Sequence, residues 1–152
     1  DGVADSTAQT ITITLNGAND TPVLNVVTSG SYTDTAANDT FSDITGTLSG
    51  SDRDSADTVS FELDGSSASS EVGFTVEKSS TYGTFYLNAT SGAYKFVAND
   101  SAIEALKTTA TATFDVNATD GVADSTAQTI TITLNGANDT PVLNVVTSGS
   151  YT

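Results

Sequence analysis

The sequence predicts an all-β protein, a two-sheet sandwich of about seven to eight strands with one short helical turn. Short segments in which apolar and polar residues alternate recur along the chain, as expected for half-buried strands. Stretches rich in Gly, Ser, Asn and Asp separate these segments, which is typical of turns between strands. Thr and Val are abundant, and β-branched residues favour pleated surfaces over helices.

The elements are predicted in chain order from this alternation. Pro22 can open the first strand, because a proline is tolerated at the start of a strand. A Gly-, Ser- and Asn-rich stretch up to about residue 40 is expected to be a link, and Gly46 is expected to mark a bulge in the second strand. Residues 100–107 give the one helical signal, with Asp or Ser as the N-cap. The predicted strands span residues 23–28, 41–48, 58–63, 72–77, 82–87, 93–97, 111–118 and 126–134.

One stretch of the sequence is written twice. Residues 1–33, DGVADSTAQTITITLNGANDTPVLNVVTSGSYT, recur unchanged as residues 120–152, which is 119 residues later. A period of this length is the size of one domain, so we interpret the chain as part of a tandem array. We predict that 1–18 is the last strand of a preceding repeat, 19–138 is a complete repeat, and 139–152 is the first strand of a following repeat.

The charge of the chain restricts its partners. Nineteen acidic residues against four basic ones give a formal net charge of −15, so the chain should repel nucleic acids and anionic membrane surfaces and attract cations. The chain has no Cys and no His, which excludes disulfides, thiolate sites and imidazole ligands. An alternative is that the acidity serves solubility alone.

The direction of each strand decides which loops lie together. We call the end where the chain enters the complete repeat the entry pole, and the end where it leaves the exit pole. The first strand runs away from the entry pole and the second returns, so the loop SDRDSAD, residues 51–57, lies at the entry pole. The last strand runs toward the exit pole, so the loop TDGVAD before it, residues 119–124, also lies at the entry pole.

Oxygen-bearing side chains from three segments are therefore expected to converge at the entry pole. Carboxylates repel one another by about 1 kcal/mol per pair at 4 Å in water, and Arg53 is the one base in these loops. Flexible loops that offer only oxygen ligands favour Ca²⁺ over Mg²⁺. The alternative is that these residues merely stabilise turns. The converging residues are Asn19, Asp20, Asp52, Asp54, Asp57, Asp120 and Asp124.

The segment NGANDTPVL, present at 16–24 and 135–143, resembles the Gly-x-Asn-Asp-x-Pro linker of bacterial VCBS-type, cadherin-like repeats. Residues 32–63, 80–100 and 118–139 resemble successive blocks of the same family. The resemblance implies an immunoglobulin/cadherin-like Greek-key β-sandwich. It also implies a calcium-rigidified extender module of a large RTX adhesin that leaves the cell by type I secretion.

The resemblance further implies which residues hold calcium, since in this family and in cadherins the linker Asn and Asp and the DxD of the following domain do so. The matching positions are Asn19, Asp20, Asp52 and Asp54, and, at the second linker, Asn138 and Asp139. Arg53 between the two aspartates departs from the family pattern and is expected to point outward. Ser55 and Ala56 stand where the family usually has a Gly, so the resemblance supports Asp57 as a ligand less than it supports Asp52 and Asp54.

These expectations indicate a structural protein and not an enzyme. Each repeat would contact identical neighbours in a protein secreted to the bacterial cell surface, holding a distal binding domain out for attachment or biofilm formation. The alternative is a carbohydrate- or cell-surface-binding sandwich, for which Tyr82, Tyr86 and Tyr94 are the candidate platform, although alternating aromatic residues of a hairpin are more often core. Catalysis is not expected, because the acidic pairs lie on linker loops and not across a cleft.

The two copies of the linker are expected to differ. Asn19 has the loops of Asp52 and Asp120 beside it, whereas we expect Asn138 to lack such partners, so the two copies should bind calcium unequally. The flanking segments are expected to leave strand edges unpaired. The chain is predicted to be monomeric apart from end-to-end strand pairing in a crystal.

Overall fold

The computed structural model describes residues 2–141, 143 and 149, and its elements are almost all strands. The prediction that 139–152 forms the first strand of a following repeat lies mostly outside the described residues. The one helix that the described part contains is α1, Asp100–Glu104. The strands are β1 (Val23–Leu24), β2 (Gly30–Thr33), β3 (Ile44–Thr47), β4 (Gly50–Ser51), β5 (Ser60–Leu63), β6 (Ser67–Ala68), β7 (Val76–Ser80), β8 (Gly83–Leu87), β9 (Ala93–Ala98), β10 (Ala110–Thr119) and β11 (Gln128–Asn135).

The strands form a sandwich of two main sheets, which confirms the predicted fold class. A four-stranded sheet has the order β2-β11-β10-β5, and a five-stranded sheet has the order β3-β9-β8-β7-β6. β1 and β4 form a separate two-stranded pair. In the four-stranded sheet, β2 runs parallel to β11, the last strand among the described residues, whereas the other pairings are antiparallel.

Aromatic side chains from the two sheets meet in the core. Phe85 of β8 stacks on Phe114 of β10, with ring centroids 4.8 Å apart, and on Tyr94 of β9 at 5.2 Å. The rings of Phe96 and Phe114 are 5.7 Å apart. Alternate residues of β11, which are Ile130, Ile132 and Leu134, are fully buried. The alternation of apolar and polar residues in the sequence therefore places apolar side chains on the inner faces of both sheets.

Several predicted boundaries are wrong where long-range pairing decides the structure. The expected link up to residue 40 contains β2, which forms because Gly30–Thr33 pairs with β11. The predicted loop after residue 63 contains the two-residue strand β6. The fourth predicted strand is shifted from 72–77 to Val76–Ser80, because the backbone N–H of Phe74 donates to the carbonyl of Glu71 in a turn.

Two local predictions are also wrong. Gly46 does not mark a bulge, because it keeps register with Tyr94, and a Cβ at this position would overlap the Tyr94 hydroxyl. The helix is capped by the backbone of Asn99 and not by an Asp or Ser side chain, and it ends at Glu104 instead of residue 107.

The N-terminal flank carries no strand in the structure. Its side chains Ile11, Ile13 and Leu15 are 88%, 78% and 88% exposed, whereas the identical residues of β11 are fully buried. The same sequence therefore forms a strand where β10 and β2 are available to pair with it. That the flank completes a preceding repeat stays a prediction.

Candidate functional site

The first copy of the linker is held against two loops of the entry pole. The side-chain amide of Asn19 donates to Oδ2 of Asp120 at 2.8 Å. The backbone N–H of Asp20 donates to Oδ2 of Asp54 at 2.7 Å. The predicted convergence of the linker, the second loop and the last loop at one pole is therefore present in the structure.

Asp120 is held by its own turn as well as by the linker. Its Oδ1 accepts the backbone N–H groups of Val122, at 2.6 Å, and Ala123, at 2.7 Å. The pKa of Asp120 is lowered, first by the hydrogen bond from Ala123, then by the Asn19 amide and by Val122. Oδ1 therefore fixes the turn of Asp120 itself, while Oδ2 holds the linker through Asn19.

The second acidic loop forms a compact group that we call the entry-pole cluster: Asp52, Asp54 and Asp57, with one carboxylate oxygen from each lying within 4.8 Å of the others. Oδ1 of Asp52 accepts the backbone N–H of Asp54 at 2.8 Å. Oδ2 of Asp52 is buried and has no hydrogen-bond partner among the described residues. Arg53 is exposed and forms no ion pair with these acids within the described residues.

A second acidic group, of which the sequence predicted only Asp139 as a ligand, lies where the chain leaves the sandwich. Asp34, Glu104 and Asp139 place carboxylate oxygens within 4.8 Å of one another, and we call them the exit-pole cluster. Asp34 follows β2 directly, and its backbone N–H donates to the carbonyl of Asn135 at 2.9 Å. Its Oδ2 accepts the backbone N–H of Ala137 at 3.0 Å.

Asp34 is the most unusual member of this group, because it is only 4% exposed. Its Oδ1 has no hydrogen-bond partner within the part of the chain that the structure describes. A buried carboxylate oxygen without a partner is costly unless a cation or a proton satisfies it. The orphaned oxygen lies among two other carboxylates, which is the arrangement expected of a cation site.

The pKa of Glu104 is also influenced by the negative charge of this cluster. The strongest influence on its pKa is a hydrogen bond from the backbone N–H of Asp39, at 2.8 Å, which lowers it. Desolvation, the negative charge of Asp34, a hydrogen bond with the Asp34 side chain and the charge of Asp139 act in the opposite direction and outweigh it, so the pKa of Glu104 is raised. A bound cation would remove this repulsion.

Either cluster could hold a metal ion. All donors are oxygens, which suits hard cations such as Ca²⁺ and Mg²⁺. Asp139 lies in the exit-pole cluster, so the second linker has acidic neighbours other than the Asp52 and Asp120 loops. That the two linkers bind calcium unequally stays a prediction. Asp124 and Asn138 are exposed and belong to neither cluster. Asn19, Asp20 and Asp120 adjoin the entry-pole cluster through hydrogen bonds.

The tyrosines proposed as a binding platform do not form an open surface. Tyr94 is 5% exposed and belongs to the core, as alternating aromatics of a hairpin usually do. Tyr82 packs partly against the core. The ring of Tyr86 lies beside Phe74, and the ammonium of Lys95 lies 5.3 Å from the centroid of Tyr86 and 5.2 Å from that of Phe74.

A scan against protein-family models, a search of curated proteins and a search of solved structures found no match to this chain. The resemblance to VCBS-type repeats therefore stays an expectation that rests on the quoted segments. Within the described residues, no helix has the length and apolar character needed to cross a membrane.

Proposed function

We propose that this chain is a structural extender repeat of a long secreted bacterial adhesin, in which calcium at each linker fixes neighbouring repeats relative to one another. One observation carries the proposal. The two copies of the same linker attach to opposite poles: Asn19 and Asp20 bond to the entry pole, and Asp139 joins Asp34 and Glu104 at the exit pole.

In a tandem array, one linker would have both sets of neighbours at once. Its backbone would be held by the loop corresponding to Asp54 in the following repeat, while its carboxylate would lie with Asp34 and Glu104 of the preceding repeat. A cation held there would bridge the acids of both repeats. The joint would then resist bending, because a bend would separate ligands from the ion.

Calcium is the preferred ion for this role. It accepts six to eight oxygen ligands in flexible geometry, whereas Mg²⁺ requires a tighter octahedron and dehydrates reluctantly. Apart from Glu104 at the end of α1, the donors in both clusters come from loops and strand ends, which can adjust to the larger ion. Water and the oxygens of the adjoining repeat would complete the coordination.

The proposal is tested by scattering from a chain in which residues 19–137, one period of 119 residues, precede a second copy that spans residues 19–141. In about 10 mM calcium, two modules of roughly 40 Å each should give an extended particle with a maximum dimension near 80 Å. EDTA should make the joint bendable and shift the distance distribution to smaller values. The aspartate at the joint stands at the position of Asp139 after the first copy and of Asp20 in the second. Its replacement by Asn should reproduce the EDTA profile in calcium, whereas Asp124→Asn, an exposed acid outside both clusters, should not.

Identical profiles with calcium and with EDTA would contradict the proposal. The carbohydrate-binding alternative gains no support from the aromatic residues, since Tyr94 is buried and Lys95 lies over the rings of Tyr86 and Phe74. A glycan array with specific signals for the single repeat would nevertheless replace the structural function with that one.

A further inference from the structure

The dipeptide Asn-Gly occurs twice in the sequence, once in each copy of the repeated stretch, as Asn16-Gly17 and Asn135-Gly136. The residues on both sides are the same in the two copies, so a difference in their chemistry must come from the structure. Asn16 and Gly17 lie in the N-terminal flank, outside the strands, and both are exposed. Asn135 ends β11 and Gly136 follows it, and both are partly buried.

An Asn that precedes a Gly can modify itself without an enzyme or a cofactor. The backbone nitrogen of the Gly attacks Cγ of the Asn side chain and closes a five-membered imide ring. The side-chain nitrogen leaves as ammonia and takes the N–H proton of the Gly with it. Water then opens the ring at either carbonyl carbon and gives aspartate or isoaspartate. Gly favours ring closure because it has no Cβ and its backbone moves freely.

Asn135 is held in a geometry that prevents ring closure. Its backbone carbonyl accepts the N–H of Asp34 at 2.9 Å, and its side-chain amide donates to the carbonyl of Tyr32 at 3.2 Å. It pairs with Thr33 of β2 and therefore has the extended backbone of a strand. The side-chain Cγ can turn toward the nitrogen of Gly136 only after these hydrogen bonds break.

These restraints are missing at Asn16, which belongs to no strand in the described part of the chain. A Cβ built on Gly17 would meet no atom within 4 Å, so the backbone there has room to move. At Gly136, by contrast, a Cβ would lie 2.5 Å from the Cβ of Leu106 and 2.6 Å from its carbonyl oxygen. Packing therefore requires the Gly at the end of β11, although it makes the dipeptide reactive.

We propose that Asn16 is a site of spontaneous conversion to isoaspartate and aspartate, and that pairing of β11 with β2 protects the identical site at Asn135. The inference goes beyond the proposed function and does not depend on calcium. Isoaspartate at position 135 would lengthen the backbone by one CH2 group opposite Thr33. A carboxylate there would also have no hydrogen to donate to the Tyr32 carbonyl, so a repeat that opened at this strand pair would be altered permanently.

Incubation of the full chain in buffer, followed by trypsin digestion and mass spectrometry, tests the proposal. The tryptic peptides 1–53 and 108–152 carry Asn16 and Asn135 separately. Fragment spectra assign the mass gain of the amide-to-acid conversion to the individual Asn. Asn16 should react on the order of 10- to 100-fold faster than Asn135, because Asn135 reacts only in the small fraction of molecules in which β11 is open.

Unfolding the chain in urea provides an internal control, because the sequence around the two sites is identical. Asn16 and Asn135 should then react at the same rate. In the folded chain, Gly17→Ala should slow the reaction at Asn16 on the order of 10-fold, because a Cβ hinders ring closure. The melting temperature should stay the same, since the added Cβ enters open space.

Equal rates at Asn16 and Asn135 in the folded chain would overturn the proposal. Unequal rates in urea would overturn it as well, because sequence outside the two copies, and not strand pairing, would then set the difference. An unchanged rate at Asn16 in the Gly17→Ala variant would show that ring closure by the Gly nitrogen is not the reaction.

Discussion

Removal of calcium with EDTA is expected to lower the free energy of unfolding of the full chain by about 3 to 5 kcal/mol relative to about 10 mM calcium. The value assumes one ion in each cluster with the millimolar to sub-millimolar affinity typical of extracellular sites. The physical reason is that folding assembles carboxylates that repel one another, and a cation that binds only the folded state reverses this cost. Thermal unfolding followed by circular dichroism measures the effect as a lower melting temperature.

Matched variants measure how much of the calcium-dependent stabilisation each of the two clusters contributes. Asp34→Asn and Asp52→Asn should each remove roughly half of the calcium-dependent stabilisation, because each replaces the carboxylate that carries the buried oxygen of one cluster. Asp124→Asn should leave it unchanged. The effect should also shrink in acid, because protonated carboxyl groups do not bind the ion. Equal melting temperatures with calcium and with EDTA would contradict the calcium hypothesis.

Phe85→Ala is expected to destabilise the sandwich by about 3 to 5 kcal/mol, independently of calcium. The Phe85 ring is fully buried and stacks on Phe114 of the opposite sheet and on Tyr94, so its removal leaves a cavity between the sheets. Urea denaturation in EDTA measures the loss. Thr84→Ala, at the neighbouring outward-facing position, should cost less than about 1 kcal/mol. Similar costs for the two variants would show that this aromatic stack does not hold the sheets together.

The parts of the fold that depend on neighbours in sequence could be predicted. The hairpin of β8 and β9 was expected at 82–87 and 93–97 and lies at Gly83–Leu87 and Ala93–Ala98. In this hairpin Phe85, Leu87, Tyr94 and Phe96 alternate with more exposed residues. Its inward-facing side could therefore be recognised from the local sequence pattern alone. β10 and β11 were found within two residues of their predicted ends for the same reason.

β2 could not be predicted, because its sequence GSYT has the composition of a turn. It becomes a strand through parallel pairing with β11, about a hundred residues away in the chain. The N-terminal flank shows the reverse case, since its residues 9–16 have the sequence of β11 and yet form no strand. Pairing partners, and not local propensity, decide both.

The entry-pole part of the candidate site followed from counting strand directions, which brought Asp54 and Asp120 to the linker. The exit-pole cluster was missed because Glu104 was interpreted only as a helix residue and Asp34 fell in the expected link. The same counting could have found it. β10 runs from the exit pole to the entry pole, so the helix before it lies at the exit pole together with Asp34 and Asp139.

The most direct test of the calcium hypothesis is a calorimetric titration of calcium into the full chain, carried out in parallel on Asp34→Asn and Asp52→Asn. The wild-type chain should show saturable binding in the range of about 10⁻⁴ to 10⁻³ M. Each variant should lose one binding event while the other cluster still binds. The absence of saturable binding in the wild-type chain, or wild-type isotherms from both variants, would contradict calcium sites at the two poles.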